Sequence, residues 1–68
     1  MVATAYRWTG EDLEAARRAA GLRQADVARR MGVPRPRVSL LEGSRRVTDT
    51  AARRFLVAVA ELVAEAAR

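Results

Sequence analysis

The run from Gly21 to Glu42, GLRQADVARRMGVPRPRVSLLE, leaves this chain few ways to fold. Gln24 to Met31 has helical spacing, with Val27, Ala28 and Met31 on one face. Gly32 ends that helix, because a residue without Cβ enters the left-handed region at little cost. After Val33-Pro34 a second helix is expected over Arg35 to Glu42, with Val38 and Leu41 turned inward. Pro36 restrains Arg35 from helical angles. The expected resolution is Arg35 as the half-in cap and Pro36 at the first helical position, which suits proline. Two short helices joined by a tight turn, apolar at fixed offsets, form a unit that must be buried against something else.

Such a unit is the helix-turn-helix pattern, whose second helix enters the DNA major groove. The residues also resemble a particular family. An Arg four residues before a Gly-Leu pair, then Gln, an apolar-Ala pair, Gly and a Val-Ser-x-apolar-Glu ending stand here as Arg17, Gly21-Leu22, Gln24, Val27-Ala28, Gly32 and Val38-Ser39-Leu40-Leu41-Glu42. The segment from about Leu13 to Arg46 thus resembles the Cro/repressor-like (XRE-type) helix-turn-helix regulators. That resemblance implies an all-α fold of four or five helices like the lambda-repressor DNA-binding domain. It also implies an ion pair between Arg17 and Glu42 and a backbone-gripping role for Gln24. The chain departs from the family in three places. Arg23 and Pro34 stand where Ser or Thr is usual, and the region after Thr48 shows no break where relatives have two short helices.

Sixty-eight residues make one small domain, and such a chain buries only about 60% of its unfolded surface. It has no cysteine and no histidine, so neither a disulfide nor an ordinary zinc site can reinforce it. No cofactor, metal or small-molecule ligand is expected. The longest apolar run, Phe55 to Ala60, is far too short to span a membrane, and a cytoplasmic, nucleoid-associated protein is expected. The net charge of +5 is unevenly spread. Arg23 to Arg54 holds nine arginines against Asp26, Glu42 and Asp49, so the positive charge gathers on the helix-turn-helix and the segment just after it. That is the electrostatic footprint of a nucleic-acid binder.

The chain divides into an arm at residues 1–8, a helix-turn-helix core at 9–47 and a C-terminal helix at 48–68. Thr9 reads as the cap of a first helix, Gly10 to Ala20, with Leu13, Ala16 and Ala20 inward and Glu11 and Asp12 complementing the dipole. Trp8 and Leu13 have the spacing of a hydrophobic staple. Thr48 reads as the cap of the last helix, Asp49 to about Ala67. Phe55, Leu56, Val59, Leu62, Val63 and Ala66 form one apolar stripe along it. The stripe looks too long for a chain of this size to cover, so a homodimer is expected to bury it.

Base reading falls to Arg35, Pro36, Arg37, Ser39 and Leu40, near the start of the second helix and one turn on. Arg35 offers the fork that matches guanine O6 and N7, and Leu40 an apolar surface for a thymine methyl. Phosphate contacts fall to Arg23, Gln24, Ser44, Arg45 and Arg46. No nucleophile–base pair or phosphate loop is visible. Glu11, Asp12 and Glu14 sit at a helix start, so no enzyme is expected. The resulting expectation is a homodimeric repressor or autoregulator on an inverted-repeat operator in double-stranded DNA. The alternatives are an antitoxin-type regulator or a restriction–modification or phage-locus controller whose last helix binds a partner protein.

Overall fold

The computed structural model describes residues 7–68. The expected arm of residues 1–8 therefore lies mostly outside the described residues. Four helices succeed one another: α1 (Gly10–Ala19), α2 (Gln24–Met31), α3 (Arg35–Glu42) and α4 (Asp49–Ala66). The fold is all-α.

Local chemistry sets each helix end. Thr9 caps α1, its hydroxyl accepting from the Asp12 amide at 3.1 Å while the Asp12 carboxylate accepts from the Thr9 amide at 2.8 Å. This reciprocal arrangement satisfies two of the amides that a helix start leaves without partners. Arg23 has no side-chain acceptor to cap α2. Asp26, three residues on, does the work in reverse, accepting from the Arg23 amide at 2.9 Å. Gly32 ends α2 with φ of +74°, where a Cβ would be strained. Thr48 caps α4 by accepting from the Ala51 amide at 3.2 Å, and α4 runs unbroken for 18 residues.

The start of α3 differs from expectation. Pro34 is the cap, Arg35 the first helical residue and Pro36 the second. The Arg37 amide donates to the Pro34 carbonyl at 2.9 Å, closing a turn that holds Arg35 helical despite the proline after it. The amide that Pro36 lacks is one that a first turn leaves unpaired in any case.

The core gathers one or two residues from each of the first three helices and four from α4. Leu13 of α1, Val27 and Ala28 of α2, Val38 of α3 and Val47 of the loop meet Ala52, Phe55, Ala58 and Val59 of α4. The expected stripe on α4 is therefore mostly the chain's own core. Phe55 is fully buried and Val59 is 8% exposed, and Leu56 and Leu62 pack against the same cluster. Of the six residues expected to meet a second copy, Val63 and Ala66 alone remain exposed.

Two backbone contacts tie the beginning of the domain to the loop after α3. The Val47 amide donates to the Trp8 carbonyl at 2.9 Å in an isolated antiparallel bridge. Trp8 thus belongs to the domain rather than to the arm, and it is 36% exposed while Leu13 is fully buried. The Gly10 amide donates to the Ser44 carbonyl at 2.8 Å. Here α1 meets the end of α3 so closely that a Cβ on Gly10 would lie 2.3 Å from the Glu42 carbonyl oxygen.

Candidate nucleic-acid interface

The outer face of α3 is built by burying its inner one. Val38 is fully buried and Leu41 packs against the core. At 100° per residue this turns Arg35, Pro36, Arg37, Ser39 and Leu40 outward, and all five are exposed. Leu40 is 66% exposed, more than any other large apolar side chain among the described residues. Arg35, Pro36, Ser39 and Leu40 share one solvent-facing surface, and Arg37 lies to one side of it, next to Leu41.

Behind that surface lies a buried ion pair. Arg17 Nε donates to Glu42 Oε2 at 2.6 Å and a terminal nitrogen donates to Oε1 at 3.0 Å. The remaining guanidinium nitrogen donates to the Leu22 carbonyl at 2.8 Å. The side chains are 10% and 4% exposed. The expected partnership of α1 with the end of α3 is present in bidentate form. Burial alone would push the Glu42 carboxyl up. The hydrogen bonds from Arg17 and Gln24, with the Arg17 charge, outweigh it and hold the group below the usual carboxylate range. Arg17 is raised chiefly by its hydrogen bond to Glu42.

Gln24 carries this pair outward, a link not legible in the sequence. Its amide nitrogen donates to Glu42 Oε1 at 3.0 Å, and its amide oxygen accepts from Arg35 at 3.0 Å. An ionised carboxylate only accepts. Glu42 therefore fixes which end of the Gln24 amide faces outward, and the outward oxygen takes a donor. A continuous chain runs from the Leu22 carbonyl through Arg17, Glu42 and Gln24 to Arg35 at the exposed start of α3. The spacing of a polar Gln at the head of α2 and a Glu at the end of α3 is the only sequence signal for it.

The other predicted phosphate contacts lie in different settings. Arg45 and Arg46 are exposed in the loop after α3. Ser44 is half-buried and its hydroxyl donates to the Leu40 carbonyl at 2.7 Å, closing the end of α3. Arg23 folds back on Asp26, with guanidinium contacts of 3.2 Å. These hydrogen bonds raise Arg23 and lower Asp26 from their ordinary values. Arg23 thus supplies part of the missing cap of α2 by orienting Asp26. On the far side of α2, Arg30 pairs with Glu61 and Glu65 of α4, solvent-screened contacts that contribute little to stability.

Among the described residues no helix is long and apolar enough to cross a membrane. No curated protein and no solved structure matches the chain. A family model described as a helix-turn-helix domain matches residues 8–68, from Trp8 through the whole of α4. That span covers nearly all of the chain and agrees with the Cro/repressor-like resemblance. The chain belongs to the helix-turn-helix domain family, whose fold is that of a DNA-binding regulator.

Proposed function

We propose that the protein is a sequence-specific double-stranded DNA-binding transcriptional regulator, a homodimeric repressor or autoregulator acting at an inverted repeat. The observation that carries this reading is the anchored arginine at the head of an exposed α3. Arg35 is held by Gln24, which is held by a buried ion pair. A long side chain restrained before it meets its target loses less entropy on binding. The second N–H of the Gln24 amide remains to donate to a phosphate beside α2, where the helix dipole favours an anion. Arg45 and Arg46 flank the other end of α3, so cationic side chains bracket the surface that would enter the groove. Leu40 lies between, exposed, with an apolar tip suited to a thymine methyl. Occupying such a site blocks access to a promoter, which is how the bound domain would repress.

The roles of Arg35 and Arg45 separate experimentally. Loss of a bidentate arginine–guanine contact removes about 1–3 kcal/mol of discrimination against the wrong base. Loss of one phosphate contact weakens all sequences alike and reduces the salt slope by about one unit. Arg35→Ala is expected to bring operator and scrambled DNA closer in affinity. Arg45→Ala is expected to weaken both and flatten the salt dependence. Titrations of both variants on both DNAs at several salt concentrations read this out. Equal loss on both DNAs for Arg35→Ala would move base reading to Arg37 or Ser39.

A further inference from the structure

The flank of the helix-turn-helix holds a groove beside the exposed face of α3. The end of α2, the turn after it, one side of α3 and the start of α4 leave about 490 Å³ there, a size within the range of small-molecule sites. Met31, Val33, Leu41 and Ala51 form its apolar lining, each half-buried and packed against the core. Pro34 and Thr48 complete the wall, and Arg37, Thr50 and Arg54 bring polar groups to it. No acidic side chain lines the groove. Arg37 and Arg54 are exposed and take part in none of the ion pairs among the described residues. Arg54 also borders smaller hollows shared with Asp49 and with Glu61, but Glu61 is paired with Arg30.

A guanidinium is always charged, and its planar fork fits a carboxylate. Two such cations beside an apolar floor set two demands on an occupant. An inorganic anion, or a phosphate of DNA, would meet the arginines and leave the floor wet. A neutral hydrocarbon would cover the floor and leave both arginines without an anion where water is excluded. A molecule with a charged end and an apolar body answers both demands. We propose that the groove binds a small organic carboxylate with an apolar chain or ring, held by Arg37 and Arg54 with the Thr50 hydroxyl as a further donor, and that its binding opposes that of DNA. The second half of this inference rests on the DNA-binding regulator proposed for this chain. Arg37 stands at the edge of the base-reading surface, so a carboxylate seated on it cancels a cation that DNA would otherwise meet. Coupling between two sites is reciprocal, so operator DNA weakens the carboxylate by the same factor. The sequence gives no sign of this site, because its residues come together only when α2, α3 and α4 have packed.

Octanoate at neutral pH is the probe. Titration calorimetry on the free protein is expected to show saturable binding. The methyl ester, which lacks the charge, is expected to bind at least about tenfold more weakly, and affinity should fall roughly fourfold for each methylene removed. Arg54→Glu is expected to abolish binding. Arg53→Glu makes the same charge change one residue away, outside the groove, and is expected to retain it. The methyl resonances of Met31, Val33 and Leu41 should shift on titration, while those of Leu56 and Val63, outside the groove, stay in place. Octanoate should also raise the dissociation constant for operator DNA several-fold in the wild type and not in Arg54→Glu. Equal affinity for the two arginine variants, equal binding of the ester, or shifts confined to methyls outside the groove would overturn the proposal. So would octanoate binding that leaves operator affinity unchanged. Failure of the regulator reading looks different: a chain that takes octanoate at the groove methyls and binds no DNA would refute that reading and leave the site standing.

Discussion

Glu42→Ala is expected to cost about 3–5 kcal/mol of stability, because it leaves the Arg17 guanidinium buried and without its carboxylate. Arg17 is only 8% exposed and Glu42 7%, so water cannot take over the lost bonds. A domain of this length has roughly 3–10 kcal/mol in total, so the variant should be partly unfolded at room temperature. Thermal denaturation followed by circular dichroism measures it, with a fall of about 4–8 °C for each kcal/mol. The double change Arg17→Met with Glu42→Leu removes both charges and should recover much of the loss. A double variant no more stable than the worse single one would contradict the pairing. The pair also sets an acid limit. Glu42 is held below its ordinary value when folded, so the unfolded chain binds the proton more readily. Its contribution is fully present above the unfolded carboxylate value of about 4.3 and is lost as pH falls through the folded one. Glu42→Gln should show a shallower acid transition than the wild type.

Gly10→Ala is expected to be the most damaging single-methyl change in the chain. The added Cβ would lie 2.3 Å from the Glu42 carbonyl oxygen and 2.5 Å from that of Leu41, both backbone atoms that cannot rotate away. Relieving the clash means separating α1 from the end of α3, which breaks the 2.8 Å bond from the Gly10 amide to the Ser44 carbonyl and strains the Arg17–Glu42 pair. Overpacking of this kind costs about 1–3 kcal/mol, and the broken hydrogen bond about 1 more. The better helix propensity of alanine offsets less than about 1 kcal/mol. Gly43→Ala is the control. Its Cβ would meet the Ser39 carbonyl oxygen at 3.5 Å, an ordinary contact, and its backbone is already right-handed. Chemical denaturation should show a large loss for Gly10→Ala and little change for Gly43→Ala. Equal effects would mean that the close approach of α1 and α3 is not as described.

The helix bounds are legible where side chains write them locally. Gly32 after Met31, Thr9 before α1 and Thr48 before α4 each act within one turn, and α2 and α4 lie where those residues put them. The Arg17–Glu42 partnership is legible only through the family resemblance, since the two are 25 positions apart. The features hidden from the sequence depend on packing between distant segments. Nothing near Gly10 announces that α3 ends against it. The Trp8–Val47 bridge joins two residues that look like loop in isolation. The start of α3 lies one residue earlier than expected because one backbone hydrogen bond overrules proline's local preference. Most of the α4 stripe faces inward, and LVAVAELVAEAA hides this by being apolar around most of the helix. Periodicity then fits two faces, and only the positions of α1, α2 and α3 decide which one is inside. The outward-facing residues of α3 are legible because burying Val38 and Leu41 leaves their neighbours one way to turn. The Gln24 link to Arg35 is not, because it requires three helices to be in place.

Selection of bound duplexes from a random DNA pool tests the central claim most directly. The expected result is an enriched inverted repeat with half-site centres about 10–10.5 base pairs apart, or a multiple of that spacing. Each half should contain a guanine whose enrichment disappears with Arg35→Ala. Recovery of no common sequence, together with retention that does not weaken as salt rises, would contradict the account.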